Sequence, residues 1–143
     1  MLSSIIFIIS VTLMYSTPLV FGAMGGVMSE RAGVVNIGIE GMMSVGAFAA
    51  AAVGYYSGNP WLGLLVGGLA GGGLALLLAI AAVTCKADQN IAGIAINLLG
   101  PGLSLFLARQ FFAGATQTKP VENKLPKLFG QEGLKDSMFS SLN

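Results

Sequence analysis

The chain has 143 residues, 55% hydrophobic and only 9% charged, with a formal net charge of +1. A soluble domain carries about 25% charged residues, so this composition makes lipid the expected solvent, and the near-neutral charge offers no basic surface for nucleic acid. With no histidine and a single cysteine, Cys85, histidine metal sites, histidine-based triads, disulfide frameworks and cysteine-cluster zinc sites are excluded.

The first apolar run, Leu2–Met28, precedes the first basic residue, Arg31. A secretory signal places Lys or Arg before its core and keeps that core to roughly 7–15 residues. The run is therefore expected to be retained as a membrane segment, with Pro18 in "YSTPLVF" kinking it and Ser16 and Thr17 serving the freed carbonyls. Crossing a hydrocarbon core takes about 20 helical residues. On that measure a second segment is expected near Val35–Tyr56. A neutral link, Ser57–Pro60, then leads to a third near Trp61–Val83. A fourth, near Ile91–Phe112, is expected to be interrupted at Gly100–Pro101–Gly102. Together these predict an all-α, polytopic membrane protein with about four hydrophobic segments over residues 1–112. A polar tail, 113–143, follows and reads as a solvated loop.

The second segment carries Asn36, Glu40 and Ser44 at i, i+4 and i+8, one polar stripe on an apolar rod. A carboxylate deep in a bilayer costs roughly 2.5–3.5 kcal/mol on insertion scales and normally faces a bundle interior or a watery path. Glu40 sits near the segment's start, where that cost is lower. Bracing the helix and lining a path are both open to it. Gly33, Gly38 and Gly41 allow an irregular helix start here, as membranes permit where backbone is covered or lines a cavity.

In the third segment Gly63, Gly67 and Gly71 repeat every four residues, as do Gly68 and Gly72. Bare positions at that spacing let another helix backbone come close, and lipid gives helices no hydrophobic reason to pair otherwise. Helix packing is the expected role of all five. In the fourth segment Asn90, Asn97 and Ser104 are seven apart on one face, flanking the Gly–Pro–Gly string. A broken helix there has two readings, a simple kink or a substrate-facing discontinuity of the transporter kind. Tyr55, Tyr56 and Trp61 flank the 57–60 link as interfacial aromatics do. The basic residues Arg31 and Lys86 fall in the two links on one face, so the positive-inside rule puts that face in the cytoplasm and the tail outside.

The string "TPLVFGAMGGVMSERAGVVNIGIEGMMSVGAF" resembles the N-terminal part of ABC-transporter permeases of the nucleoside and simple-sugar importer type, within the branched-chain amino-acid and monosaccharide permease family. Glu30, Arg31, Gly33, Asn36, Gly38, Glu40, Gly41, Met42 and Met43 carry the resemblance. "ADQNIAGIAINLLGPGLSLFL" extends it, with Asn97 at the family's usual asparagine. The resemblance implies a multi-pass protein of the bacterial cytoplasmic membrane, not an enzyme. Its implied partners are a second permease subunit, cytoplasmic ATPase subunits and an extracytoplasmic substrate-binding lipoprotein, besides membrane lipid. No cofactor is expected on this chain, since ATP would be used by the separate ATPase; the absence of a GxxxxGK[ST] phosphate loop agrees with that division. Asn36, Glu40, Ser44, Asn90, Asn97 and Ser104 are the candidate substrate-path residues. Family members usually run to about twice this length and carry a later ATPase-docking segment with no counterpart here, which implies an N-terminal half. The alternative is a self-contained four-helix scaffold without transport activity.

Overall fold

The computed structural model describes residues 2–121. Its regular elements are all helical: α1 (Leu2–Arg31), α2 (Ile39–Ser57), α3 (Pro60–Ala79), a π-helical turn (Ile80–Thr84) and α4 (Gln89–Phe111). The chain divides into two compact units between Met24 and Gly25. The expected polar tail falls largely outside the described residues, which end at Val121.

In the first unit α1 continues unbroken past Pro18. A proline has no N–H for the carbonyl four residues back, here that of Met14. The neighbouring hydroxyls do not serve that carbonyl. Thr17 Oγ1 and Ser16 Oγ both donate to the Leu13 carbonyl, at 2.7 and 3.2 Å. Phe7, Leu19 and Phe21 lie exposed along this stretch, as suits a helix whose solvent is lipid.

In the second unit α2 is the central helix, packed against α3 on one side and α4 on the other. It runs antiparallel to α3: Gly63 faces Ala50 and Gly54, Gly67 faces Gly46 and Ala50, and Gly71 faces Met42. It runs parallel to α4, with Gly41 against Ile96–Gly100 at one end and Tyr56 against Phe111 at the other. The three helices meet at Met42, Leu78 and Ile96, flanked by Leu74, Ala75 and Ala92.

The caps explain where the helices start and stop. Gly58 takes the left-handed conformation (φ 65°) that ends α2, a conformation open to glycine because it has no Cβ. Asn59 then caps α3, accepting from the Trp61 N–H at 3.0 Å, with Pro60 in the first turn where its missing N–H costs nothing. Asp88 caps α4 by accepting from the N–H groups of Asn90 and Ile91 at 2.9 and 3.0 Å.

Three sequence expectations need correcting. First, α4 is continuous through Gly100–Pro101–Gly102 rather than interrupted there. Only the Asn97 carbonyl loses its regular donor to Pro101, and a helix supported by neighbours tolerates one such gap. Second, α2 begins at Ile39, not near Val35, so Asn36 lies in the preceding loop and shares no helical stripe with Glu40 and Ser44. The backbone of that loop finds partners on α4 instead of continuing the helix: the Val35 N–H donates to Gln89 Oε1 at 2.7 Å, and the Ile37 carbonyl accepts from Asn97. Third, among the described residues three helices, not four, are long and apolar enough to cross a membrane: Phe7–Arg31, Pro60–Thr84 and Gln89–Phe111. The exception is α2, which holds Glu40 in its first turn and two tyrosines in its last. The helix that falls short as a span is thus the one packed between the other two.

Candidate functional site

The site grows out of one close contact. Glycines at 41 and 100 let the α2 and α4 backbones touch: a Cβ added at Gly41 would run into the Ile96 carbonyl, and one at Gly100 into the Gly41 backbone. Gly93, two turns before Gly100, lies close to Ile37 and to the Gly38 nitrogen, 3.0 and 3.2 Å from where its Cβ would stand. Lipid supplies no hydrophobic drive for pairing, so intimate van der Waals contact of this kind must hold the helices.

Asn97 pins the contact. The N-cap of α2 is Gly38, which has no side chain to offer the first-turn N–H groups. Asn97 Oδ1 accepts from the Gly41 N–H at 2.8 Å, while its Nδ2 donates to the Ile37 carbonyl at 2.7 Å. One planar amide thereby caps α2 from another helix and ties down the loop before it. The far end is fastened by Tyr56, whose hydroxyl donates to the Phe111 carbonyl at 2.7 Å. Phe112 packs there against Tyr55 and Tyr56, with ring centroids 5.5 and 5.7 Å apart.

Between these fastenings the helices leave an open groove of about 630 Å³. Ser44, Ala47, Phe48 and Ala51 line it from α2, and Pro101, Ser104, Leu105 and Ala108 from α4. The segment after α4 adds Thr116, Gln117 and Thr118. None of the lining residues is charged. Hydroxyls, one carboxamide and the Phe48 ring are what such a groove presents. Ser104 Oγ donates to the Gly100 carbonyl at 2.8 Å, which leaves its oxygen free to accept from a ligand.

The six candidate path residues therefore separate. Ser44 and Ser104 face each other's helix across the groove. Asn97 is engaged with backbone one turn earlier. Glu40 is exposed in the first turn of α2, and Asn90 is exposed in the first turn of α4. Asn36, half-buried in the loop, donates weakly to Met42 Sδ at 3.7 Å, and its Oδ1 is buried without a hydrogen-bond partner among the described residues. Of the five candidate packing glycines, Gly63, Gly67 and Gly71 face α2, while Gly68 and Gly72 have nothing within 4 Å. The sequence reading did not single out Gln89 or the Thr116–Thr118 triplet. The triplet did carry a signal, three adjacent hydrogen-bonding side chains directly after an apolar helix. No group of three His, Cys, Asp or Glu side chains gathers among the described residues.

A helical membrane protein with an uncharged polar groove between parallel helices is the class this arrangement defines, and sequence comparison gives the family. Residues 8–132 match the family described as branched-chain amino acid transport system, permease component; the chain belongs to that family. It is 42% identical over 128 residues to the guanosine ABC transporter permease protein NupQ of Bacillus subtilis, covering 85% of this chain and 39% of that one. With the nucleoside ABC transporter permease protein NupC of Lactococcus lactis it shares 41% over 111 residues, 73% of this chain and 35% of the relative. With a putative glucose ABC transporter permease protein, TsgC13 of Haloferax volcanii, it shares 41% over 99 residues, 69% and 30% respectively. The chain thus spans under two fifths of the length of these relatives. No solved structure matches it. Family and apolar helices together make it a multi-pass membrane protein that belongs with transporter components rather than enzymes.

Proposed function

We propose that the chain forms part of the permease subunit of an ATP-driven importer for nucleosides or simple sugars, with the α2–α4 groove contributing to the substrate path. The observation that carries this reading is the groove's lining: Ser44, Ser104, Thr116, Gln117 and Thr118 offer hydrogen bonds without charge. Uncharged ligands rich in hydroxyls and ring nitrogens suit such a surface, because each buried polar group on either side needs a partner. Phe48 adds a ring face against which a nucleobase or sugar ring can lie. The relatives named for guanosine, nucleosides and glucose support the same ligand classes.

On this reading the partners are a second permease subunit, cytoplasmic ATPase subunits that consume ATP, and an extracytoplasmic substrate-binding lipoprotein. The setting is the bacterial cytoplasmic membrane. The Val35–Gln89 hydrogen bond brings the links that hold Arg31 and Lys86 to the same end of α2 and α4, and the positive-inside rule makes that end the cytoplasmic face. Cys85, exposed beside Lys86, reports on that orientation directly. A membrane-impermeant maleimide is expected to label it in inside-out vesicles and not in intact cells; the reverse pattern would invert the topology.

The test of transport uses the complete permease assembled with its partners in proteoliposomes, supplied with radiolabelled guanosine or glucose. ATP-dependent uptake is expected for at least one of them. The double variant Ser44→Ala/Ser104→Ala is expected to lower the rate per assembled transporter several-fold, about what two hydrogen bonds contribute. An unchanged rate removes the groove from the path.

A further inference from the structure

We infer that Asn97 is a positioning residue for the groove rather than a ligand for what passes through it; the inference rests on the reading of the groove as a substrate path. Each polar end of its amide is engaged with backbone in one hydrogen bond. Oδ1 accepts from the Gly41 N–H at 2.8 Å, and Nδ2 donates to the Ile37 carbonyl at 2.7 Å. With those two bonds made, the plane of the amide is fixed against the start of α2, and Asn97 is not among the residues that line the groove.

What the clamp controls follows from register. Asn97 holds Gly41, and Gly41 touches Gly100. Ser44 lies three residues beyond Gly41 on α2, and Ser104 lies four beyond Gly100 on α4. Since the two helices run parallel, both groove hydroxyls stand about one turn, some 5 Å, past the clamped contact. The separation of Ser44 from Ser104 is thus set at that contact. Two local features make the clamp necessary. Gly38 gives α2 no cap of its own, and Pro101 deprives the Asn97 carbonyl of its regular helical donor. The α4 ladder is weakest on the turn that joins the clamp to the groove. Without the amide, the first turn of α2 loses its cap just where α4 is least able to hold a fixed path.

The experiment uses the complete permease assembled with its partners, comparing wild type, Asn97→Ala and Ser104→Ala. Hydrogen exchange of the peptide spanning the first turn of α2 is the first readout. Exchange at that turn is expected to accelerate about tenfold in Asn97→Ala, the loss of two hydrogen bonds, and to stay at the wild-type rate in Ser104→Ala. Maximal uptake per assembled transporter is the second readout, measured for guanosine and for inosine, which lacks the 2-amino group. Asn97→Ala is expected to slow both by the same factor, because a widened groove serves every substrate equally badly. A loss confined to one of the two nucleosides overturns the inference in favour of direct contact. Unchanged exchange, or a lower yield of transporter with an unchanged rate, overturns it as well.

Should Asn97→Ala fail to assemble, Asn97→Asp keeps size and shape and retains the acceptor for Gly41 but not the donor to Ile37. It is expected to accelerate exchange by less than tenfold, and wild-type exchange in it overturns the two-handed clamp. If wild-type uptake fails altogether, the transport reading falls, whereas the exchange readout still decides whether the clamp exists.

Discussion

The two sides of α2 are built on different principles. Towards α3 the contact is bare: Gly63, Gly67 and Gly71 lie against the backbone of Ala50, Gly46 and Met42, and glycine offers no side chain to hydrogen-bond across it. Towards α4 it is pinned near each end, by Asn97 and Gln89 at the start of α2 and by Tyr56 near its finish, and open between. The first side forms a closed seam along its length. The second leaves about 630 Å³ lined by hydroxyls. In lipid, tight packing and hydrogen bonds are what hold helices together, and here the two are divided between the two faces of one helix. The packed face makes a frame, and the hydrogen-bonded face makes room.

Substitutions at the points of closest approach challenge this division most severely. Gly100→Ala drives a methyl into the Gly41 backbone, where neither side can yield without separating the helices. It is expected to abolish recovery of monodisperse permease in size-exclusion chromatography, and normal recovery would contradict the contact. On the α3 seam, Gly67→Leu meets Ala50 and Gly46 within 3 Å. It is expected to destabilise the fold by about 1–3 kcal/mol, seen as a lowered thermal midpoint in detergent. Gly68→Leu, one residue on, meets open space and is expected to leave the chain's stability within about 0.5 kcal/mol of wild type. Equal effects at 67 and 68 would sink the one-sided seam. Among the substitutions that disturb a contact, the smallest effect belongs to Tyr56→Phe. It removes one exposed hydrogen bond to the Phe111 carbonyl, and a loss of no more than about 1 kcal/mol is expected.

Much of the frame was legible in sequence, because helical periodicity and glycine spacing are local properties. Spacing by four marks a groove along a helix but does not say which of two such grooves is filled. Only the 63–67–71 row is occupied among the described residues. The start of α2 was harder to read. Val34 and Val35 extend the apolar run, so hydrophobicity alone places residue 36 inside the helix. Gly33, with φ 84°, and the uncapped Gly38 were the local signals against it. The decisive cause is distant, since Gln89 and Asn97 satisfy the loop backbone from α4. Asn97 itself was picked out as a polar residue in an apolar helix, but its partners are main-chain groups some 60 residues earlier in the chain, beyond the reach of any periodicity. The Gly–Pro–Gly string misled for a related reason. A proline's local penalty is fixed by chemistry, yet whether the helix breaks depends on the neighbours that hold it.

The claim on which the account rests is that water and substrate reach the α2–α4 groove while the outer face of α3 meets lipid. In the assembled permease with Cys85→Ser, single cysteines introduced as Ser44→Cys, Ser104→Cys and Leu65→Cys are exposed to a water-soluble maleimide. The account predicts rapid labelling at positions 44 and 104, slowed by saturating nucleoside, and little at the α3 position, which is exposed in the structure yet turned to lipid. Labelling at 65 with none at 44 or 104 would contradict it.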